Sequence, residues 1–441
     1  METEEDRHDA GASAFGVERY LMTDISSTAS HSGATATGRQ RTETLLALMG
    51  APQNDLRVIH VAGTAGKGSV STFIASILRT HGFRVGTYLS PHVHSILERF
   101  QIDGRPAPED QVTAALRVVR DRERHLEVAE LGQVTMFEAA TAAAFQLFRD
   151  QEVDYAVVET GIGGLHDATN TVSREDKLAV LTTIGLDHTD VLGSTLPEIA
   201  RQKAGILPVG GAAIAVSGGP RVDKVIGAEA QRRRCAVDHI APAHAADLLP
   251  RDVVLGLPGR HQRVNAGLAV RAVRQLAHRD GWTVGLGRLT AGLAGARLPG
   301  RFERRRWRGH PVLLDGAHNA IKLAALAAAV RDEWPDRAPL WVVTVKPDKN
   351  IDDAMGAIAA SASGVLATEF HSGGSDHGRG HALPAREVAA AAGRAGVEQV
   401  STHLSVGAAL HAAIERSEPG TPIIVTGSFF AVADAGKVMS R

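Results

Sequence analysis

His60-Val-Ala-Gly-Thr-Ala-Gly-Lys-Gly-Ser-Val70 joins an apolar run at 56–61 to a segment that places Val70, Ile74, Ile77 and Leu78 at helical spacing. A strand entering a helix through a glycine-rich turn gathers successive backbone N–H groups and the positive end of the helix around one point, which makes an anion site. Lys67 adds a mobile positive charge suited to terminal phosphates. The spacing departs from the common G-x-x-x-x-G-K-[ST] form, since Gly63 to Gly66 is two residues short and Gly68 takes the Ser/Thr place. The flanking strand and helix patterns nevertheless favour a nucleotide loop over a plain strand-to-helix connection.

Outward from this loop, 84–88 reads as a second strand ending in Leu89-Ser-Pro-His92, where Pro91 imposes an extended or turned approach. Segments 109–128 and 136–148 read as helices, and 153–158 as a buried strand ending in Glu159, followed at once by Gly161, Gly163 and Gly164. A strand at 178–182 runs into Gly185-Leu-Asp-His188, and a helix at 196–204 carries Lys203. Strands alternating with helices predict an α/β fold, a doubly wound P-loop ATPase-like domain with a mainly parallel sheet, whose ligands gather beyond the carboxyl ends of the strands. Ser90, Glu159 and His188 stand at such ends.

A strand is expected at 212–216; the pattern then blurs until Arg260 opens a helix continuing to about residue 276. The basic Pro/Gly-containing connector at 297–301 predicts a boundary between a central domain, 40–297, and a smaller α/β C-terminal domain, 298–441. In the latter, strands are expected at 311–314, 340–345, 364–368 and 422–425. Residues 1–39, rich in Ser, Thr, Ala and Gly, read as a mobile head with one short helix near 15–22.

At 441 residues the chain exceeds one usual hydrophobic core, so two or three domains are expected. A composition of 44% hydrophobic and 22% charged residues with net charge -1 exerts no global pull on nucleic acid or acidic membrane, which points to small-molecule partners. The lone Cys235 excludes an internal disulfide and suits a reducing compartment. An acidic, polar start and the lack of a run of ~18 apolar residues predict a cytoplasmic protein with no membrane span. The short basic run 301–308 reads as a solvated connector or hairpin edge, and His371, His377 and His381 as part of a polar loop without metal-ligand spacing.

A nucleoside triphosphate carries Mg²⁺, which takes hard oxygen ligands and tolerates an imidazole; Glu159, Ser90 and His188 meet that need, though each alone would serve structure as readily. The loop at 60–70 does not stand by itself. Together with Ser90-Pro-His92, Val158-Glu-Thr-Gly-Ile-Gly-Gly164, Asp167-Ala-Thr-Asn170, Gly185-Leu-Asp-His-Thr189, Gln202-Lys-Ala-Gly205, His261-Gln262 with Asn265-Ala266, Pro299-Gly-Arg301, Leu314-Asp-Gly-Ala-His-Asn319 and Val425-Thr-Gly-Ser428, it resembles the folylpolyglutamate synthase/dihydrofolate synthase family of the Mur ligase superfamily, from about residue 40 to the end.

The resemblance implies that Thr64, Gly66, Lys67, Gly68 and Ser69 hold ATP phosphates and that Ser90, Glu159 and His188 hold magnesium. Lys203, which sequence alone reads as a surface lysine, matches a family lysine that is carbamylated and bridges a second Mg²⁺. Asn265, Arg301, Asp315 and His318 match positions gripping ATP across the domain interface, and Lys67, Lys203 and His318 carry catalytic roles. The pterin would lie against Leu89, Thr135, Phe137, His166, Asp167 and Ala168. Similar enzymes phosphorylate a substrate carboxylate, and L-glutamate then attacks the acyl phosphate to form an amide; no protein nucleophile is needed, and a monomer is expected.

The family usually has Asn at Ala65, Arg-Leu at Leu165-His166, Phe-Asn at Ile96-Leu97 and Pro at Ala320. Losing an Arg at Leu165 removes a planar, permanently charged donor. The expected reaction is glutamate addition to dihydropteroate, to a (tetrahydro)folate or to both; the alternative is a ligase of the same fold joining another carboxylic acid and amine. Further alternatives are a water-accepting NTPase and a non-catalytic nucleotide-binding protein.

Overall fold

Val58-Ile-His-Val-Ala62 forms β1 and is buried along its whole length, as befits a strand covered on both faces. The computed structural model describes residues 16–24, 35–128, 131–347, 349–370 and 381–440. Around β1 assemble β2 (Val85–Tyr88), β3 (Phe100–Ile102), β4 (Arg105–Pro106), β5 (Tyr155–Glu159), β6 (Leu178–Leu181), β7 (Ala212–Val216) and β8 (Ala236–Ile240). Their spatial order is β4-β3-β2-β5-β1-β6-β7-β8. From β2 to β8 the pairs are parallel, while β3 and β4 add an antiparallel edge. The central position of β1 between β5 and β6 sets three strand ends side by side, and those ends carry the glycine-rich loop, Glu159 and the 182–188 segment.

The chain separates into two compact units, one running to Val254 and including 264–296, the other combining 255–263 with 297–441. The second holds a six-stranded sheet of β9 (Glu303–Trp307), β10 (His310–Leu314), β11 (Leu340–Val343), β12 (Gly364–Thr368), β13 (Val400–His403) and β14 (Ile423–Thr426). Its order is β13-β12-β11-β14-β10-β9, and only β9 runs antiparallel to its neighbour. The basic run is therefore a hairpin edge strand, with Arg304, Arg305 and Arg306 exposed. Charge on an edge strand discourages pairing with another chain.

Two sequence expectations shift. Val17, Tyr20 and Leu21 are buried in the same apolar cluster as Leu45, Leu46, Phe100 and Phe145, so 17–24 packs into the first unit's core rather than forming a head. A helix also spans Ala36–Leu48, so the expected head of residues 1–39 ends before residue 36. The rest of the expected head, 1–15 and 25–34, and most of the histidine-bearing segment, 371–380, lie outside the described residues. The blurred region holds the helix Pro220–Arg233 and β8, an edge strand whose part-exposed residues leave no apolar run to read.

Arg41, on the helix Ala36–Leu48, fastens the start of the helix Met136–Asp150. Its Nε and Nη2 donate to the two Glu138 carboxylate oxygens at 2.6 and 2.7 Å, and Nη1 donates to Leu131 O at 2.7 Å. Both side chains are nearly inaccessible to solvent. Glu138 also accepts from the backbone N–H of Thr135, closing a capping box that fixes the 135–137 segment. Replacing Arg41 by Met strands a buried carboxylate and should cost about 3–5 kcal/mol of unfolding free energy in urea titrations, most of which Glu138→Gln in the same chain should restore.

Candidate active site

Beyond β1 the chain turns back on the segment after β6. Thr64 N donates to Thr183 O at 2.9 Å, Thr64 Oγ1 to Gly185 O at 2.9 Å, and Thr182 Oγ1 to Ala65 O at 2.7 Å. Two glycines make this approach feasible. A Cβ at Gly63 would lie 1.8 Å from Thr182 Oγ1, and one at Gly66, whose φ is +89°, would lie 2.5 Å from Asn265 Oδ1. The helix Lys67–Thr80 starts immediately, with its first intrahelical bond from Val70 N to Gly66 O at 2.8 Å. Lys67, Gly68 and Ser69 thus occupy the positive end of a helix, the position from which backbone amides bind phosphate.

Two ammonium groups meet on one oxygen here. Lys67 Nζ donates to Gly63 O at 3.3 Å and Lys203 Nζ donates to the same atom at 2.9 Å. Lys203 is not a surface lysine, being only 4% exposed. The bareness of Gly164 is the reason: a Cβ there would come 2.8 Å from Gln202 O and 3.0 Å from Lys203 O, so the end of the helix Leu196–Ala204 packs directly on the glycine backbone.

Glu159 ends β5 in register with Val61, is buried, and accepts from Ser90 N at 3.2 Å. His188 is exposed and caps the short helix Thr189–Leu192 with φ +50°, three residues beyond the Gly185 that Thr64 holds. Among the described residues no three His, Cys, Asp or Glu side chains cluster to hold an ion unaided. The expected ligand set contains only two of those types, Glu159 and His188, with Ser90 and Lys203 beside them. A buried carboxylate beside a serine, one strand from a phosphate-type loop, is donor chemistry that fits a hard divalent cation.

On the other side of Glu159, the Phe137 ring covers Gly161, where a Cβ would come 2.6 Å from Cζ, and its centroid lies 6.0 Å from that of Tyr88. Leu89 follows Tyr88 and is buried, and Thr135 caps the helix that carries Phe137. Asp167 is engaged from three sides: Oδ2 accepts from Ile162 N at 2.9 Å, and Oδ1 from Thr169 N at 3.0 Å and Thr169 Oγ1 at 2.5 Å. Burial raises its pKa, against the downward pull of those hydrogen bonds and of Lys67. Asp167 therefore shapes the loop that bears half-buried His166 and buried Ala168.

Sequence reasoning passed over the partner of that loop. His60, fully enclosed in β1, places Nε2 2.8 Å from Thr169 Oγ1. Because the Thr169 hydroxyl proton goes to Asp167, Nε2 must carry the hydrogen that His60 donates, leaving Nδ1 as a buried atom without a partner. Burial, with the charge of Lys177 second, holds the His60 pKa well below 6.5, which agrees with a neutral ring. A polar residue in the middle of an otherwise apolar strand was the available signal.

In the second unit, Asp315 follows β10 and accepts from Phe302 N and Ala317 N, both at 2.8 Å. The Arg301 guanidinium lies 4.4 Å over the Phe429 ring. His318 Nδ1 donates to Gly316 O at 2.8 Å, while Lys322 Nζ approaches Nε2 at 3.1 Å as a donor, so the imidazole is the neutral Nδ1–H form. Asn319 caps the next helix through Lys322 N.

Residues 61–233 match the Mur ligase middle domain and residues 300–429 the Mur ligase glutamate ligase domain. The dihydrofolate synthase/folylpolyglutamate synthase of Bacillus subtilis is 35% identical over 71% of this chain and 76% of its own. The chain belongs to the folylpolyglutamate synthase/dihydrofolate synthase family. Folylpolyglutamate synthase of Mycobacterium tuberculosis, solved with ADP and AMPPCP, superposes with a TM-score of 0.79 at 31% identity, covering 91% of this chain and 95% of that one. Escherichia coli FolC, solved with DHPP and ADP, gives 0.79 at 25% identity over 97% and 98%. As a member of this family the protein is an ATP-dependent acid–amino-acid ligase on a doubly wound α/β framework. No helix among the described residues is long and apolar enough to cross a membrane.

Gly66→Ala should displace Asn265 and force a left-handed alanine, raising the KM for ATP at least roughly tenfold while the far-ultraviolet circular dichroism stays native. His60 also predicts a pH dependence. Its neutral form contributes stability that is complete above pH 6.5 and is lost as pH falls below that value toward the folded-state pKa, because the unfolded chain takes up a proton the folded one refuses. His60→Asn should flatten the stability–pH slope between about pH 7 and about pH 5, removing up to about 1.4 kcal/mol per pH unit, as read from denaturant titrations.

Proposed function

We propose that this ligase activates a carboxylate of dihydropteroate, of a (tetrahydro)folate or of both as an acyl phosphate, and joins it to the amino group of L-glutamate. The observation that carries the reading is the meeting of Lys67 and Lys203 on Gly63 O, one strand from Glu159 and Ser90. Phosphoryl transfer asks the protein mainly to position reactants and neutralise charge, and a helix start with two cations beside a buried carboxylate suits that task.

In this reading Thr64, Gly66, Gly68 and Ser69 hold the β- and γ-phosphates, and Lys67 follows the transferring group. Asn265, Arg301 and Asp315 hold the rest of the nucleotide, and His318 contributes as a neutral imidazole. Ser90, Glu159 and His188 would hold Mg²⁺, with carbamylated Lys203 completing a second ion site; the metal supplies charge neutralisation on the phosphoryl oxygens. Carbamylation would also replace one of the two ammonium groups at Gly63 O by an anion, turning a like-charge contact into an attractive one. Leu89, Thr135, Phe137, His166, Asp167 and Ala168 would receive the pterin. A cytoplasmic monomer is the form proposed.

A second reading, a ligase for another carboxylic acid and amine, is favoured by Leu165, an apolar side chain where the family usually has Arg. The deciding assay supplies Mg-ATP and L-glutamate with dihydropteroate, tetrahydrofolate or a panel of other carboxylates, and follows product mass with ADP release. A glutamate adduct of either pterin is expected; adducts confined to another acid would transfer the assignment to the second reading. Glu159→Gln should lower turnover roughly 100-fold or more with an unchanged unfolding midpoint, and near-normal turnover would remove Glu159 from the metal site.

A further inference from the structure

The end of β6 opposite the phosphate loop faces a cavity of about 230 Å³, lined among others by Arg39, Asn170, Thr171, Arg174, Lys177 and Arg233. Lys177 immediately precedes β6, whereas Thr182 and Thr183, which grip the phosphate loop, immediately follow it. The cavity is thus separated from the active site by the length of a strand.

Its charges do not close. Arg39 holds Glu43 at 2.8 Å, Arg174 holds Asp176 at 2.7 Å, and Arg233 holds Glu229. Lys177 holds no carboxylate among the described residues, although it is only 4% exposed; its single partner is Asn170 Oδ1 at 3.5 Å, the outer limit of a hydrogen bond. A second buried group on the same wall is also unsatisfied, since Thr171 Oγ1 has no hydrogen-bond partner. Burial first, then the positive charges of Arg233 and Arg39, depress the Lys177 pKa to about 7. A water molecule would satisfy the hydroxyl and leave the charge. An oxyanion satisfies both.

We propose that this cavity is a second anion site, in which a phosphoryl oxyanion accepts from Lys177 Nζ and Thr171 Oγ1 and provides the counter-charge that Lys177 lacks. A tetrahedral phosphoryl group offers more acceptor oxygens than a carboxylate to a cavity lined at once by Lys177, Thr171 and Arg233. The site is joined to the active-site loops through Asn170, whose Nδ2 donates to Gly205 O at 2.9 Å and to Leu165 O at 3.3 Å. Those carbonyls neighbour Lys203 and His166.

Equilibrium dialysis of the full chain against radiolabelled inorganic phosphate tests the proposal. Two phosphates per chain are expected, one lost in Lys67→Ala and the other weakened at least tenfold in Lys177→Met and in Thr171→Val. Val209→Glu supplies a second handle that does not touch the core: Val209 lines the cavity yet is 58% exposed, so its carboxylate should occupy the rim and abolish the same phosphate with the fold intact. A single phosphate in the unmodified chain, lost in Lys67→Ala, would overturn the proposal. So would a second phosphate that survives Val209→Glu.

Discussion

Gly63 O accepts from Lys67 and from Lys203, and the surrounding chain is arranged to make that crowded contact possible. Two unit charges about 4 Å apart repel by about 4 kcal/mol at an effective dielectric constant near 20, so neither lysine goes there for its own sake. Each is held by something else. Lys67 is the first residue of a helix whose start is fixed by Gly66 against Asn265, and Lys203 ends a helix laid on the bare backbone of Gly164. The loop between them cannot back away, because Thr64, Ala65 and Thr182 tie it to the segment after β6. Packing and hydrogen bonds keep the positive charge concentrated at the point where a triphosphate would arrive, which is electrostatic preorganisation in its plainest form.

The same strand order explains why Glu159 belongs to this site. With β1 between β5 and β6, Glu159 comes out level with Val61, and Ser90 reaches it from the end of β2 on the far side of β5. Moving any of these strands by one place would separate the carboxylate from the loop. The acceptor side depends on a different support. Arg41 and Glu138 set the start of the helix bearing Phe137, and His60 and Thr169 brace Asp167, so the residues proposed to receive the acceptor are each held through a buried polar group. Buried partners of this kind are costly to disturb, and they fix geometry more firmly than apolar contacts do.

The amino-acid sequence carried the parallel sheet, the loop and the strand-end residues because each is written locally: an apolar run, a glycine, a polar side chain just beyond. It did not carry the burial of Lys203, since the cause is a distant glycine, Gly164, that admits the helix end. Nor did it carry the Arg41–Glu138 pair, whose members are almost a hundred residues apart and look like ordinary surface charges on two helices. β8 and β13 were likewise hidden, because edge strands with part-exposed residues show neither a continuous apolar run nor a clean alternation. The residues at 17–24 lie in a stretch rich in Ser, Thr, Ala and Gly, yet Val17, Tyr20, Leu21 and Met22 draw them into the core.

Lys177 and Lys203 set the limits of reading charge from position. Both are 4% exposed, and both sit within a residue or two of an element's end. Lys203 has a backbone carbonyl at 2.9 Å and shares it with another cation, a combination that makes sense where anions are handled in turnover. Lys177 has a weak amide contact, two guanidinium groups nearby and no carboxylate partner among the described residues, a combination that turnover at the phosphate loop does nothing to relieve. A buried lysine without a counter-ion either loses its proton or acquires an anion. Proton loss and a water molecule would answer the Lys177 charge and the Thr171 hydroxyl separately, whereas one anion from solution answers both at once.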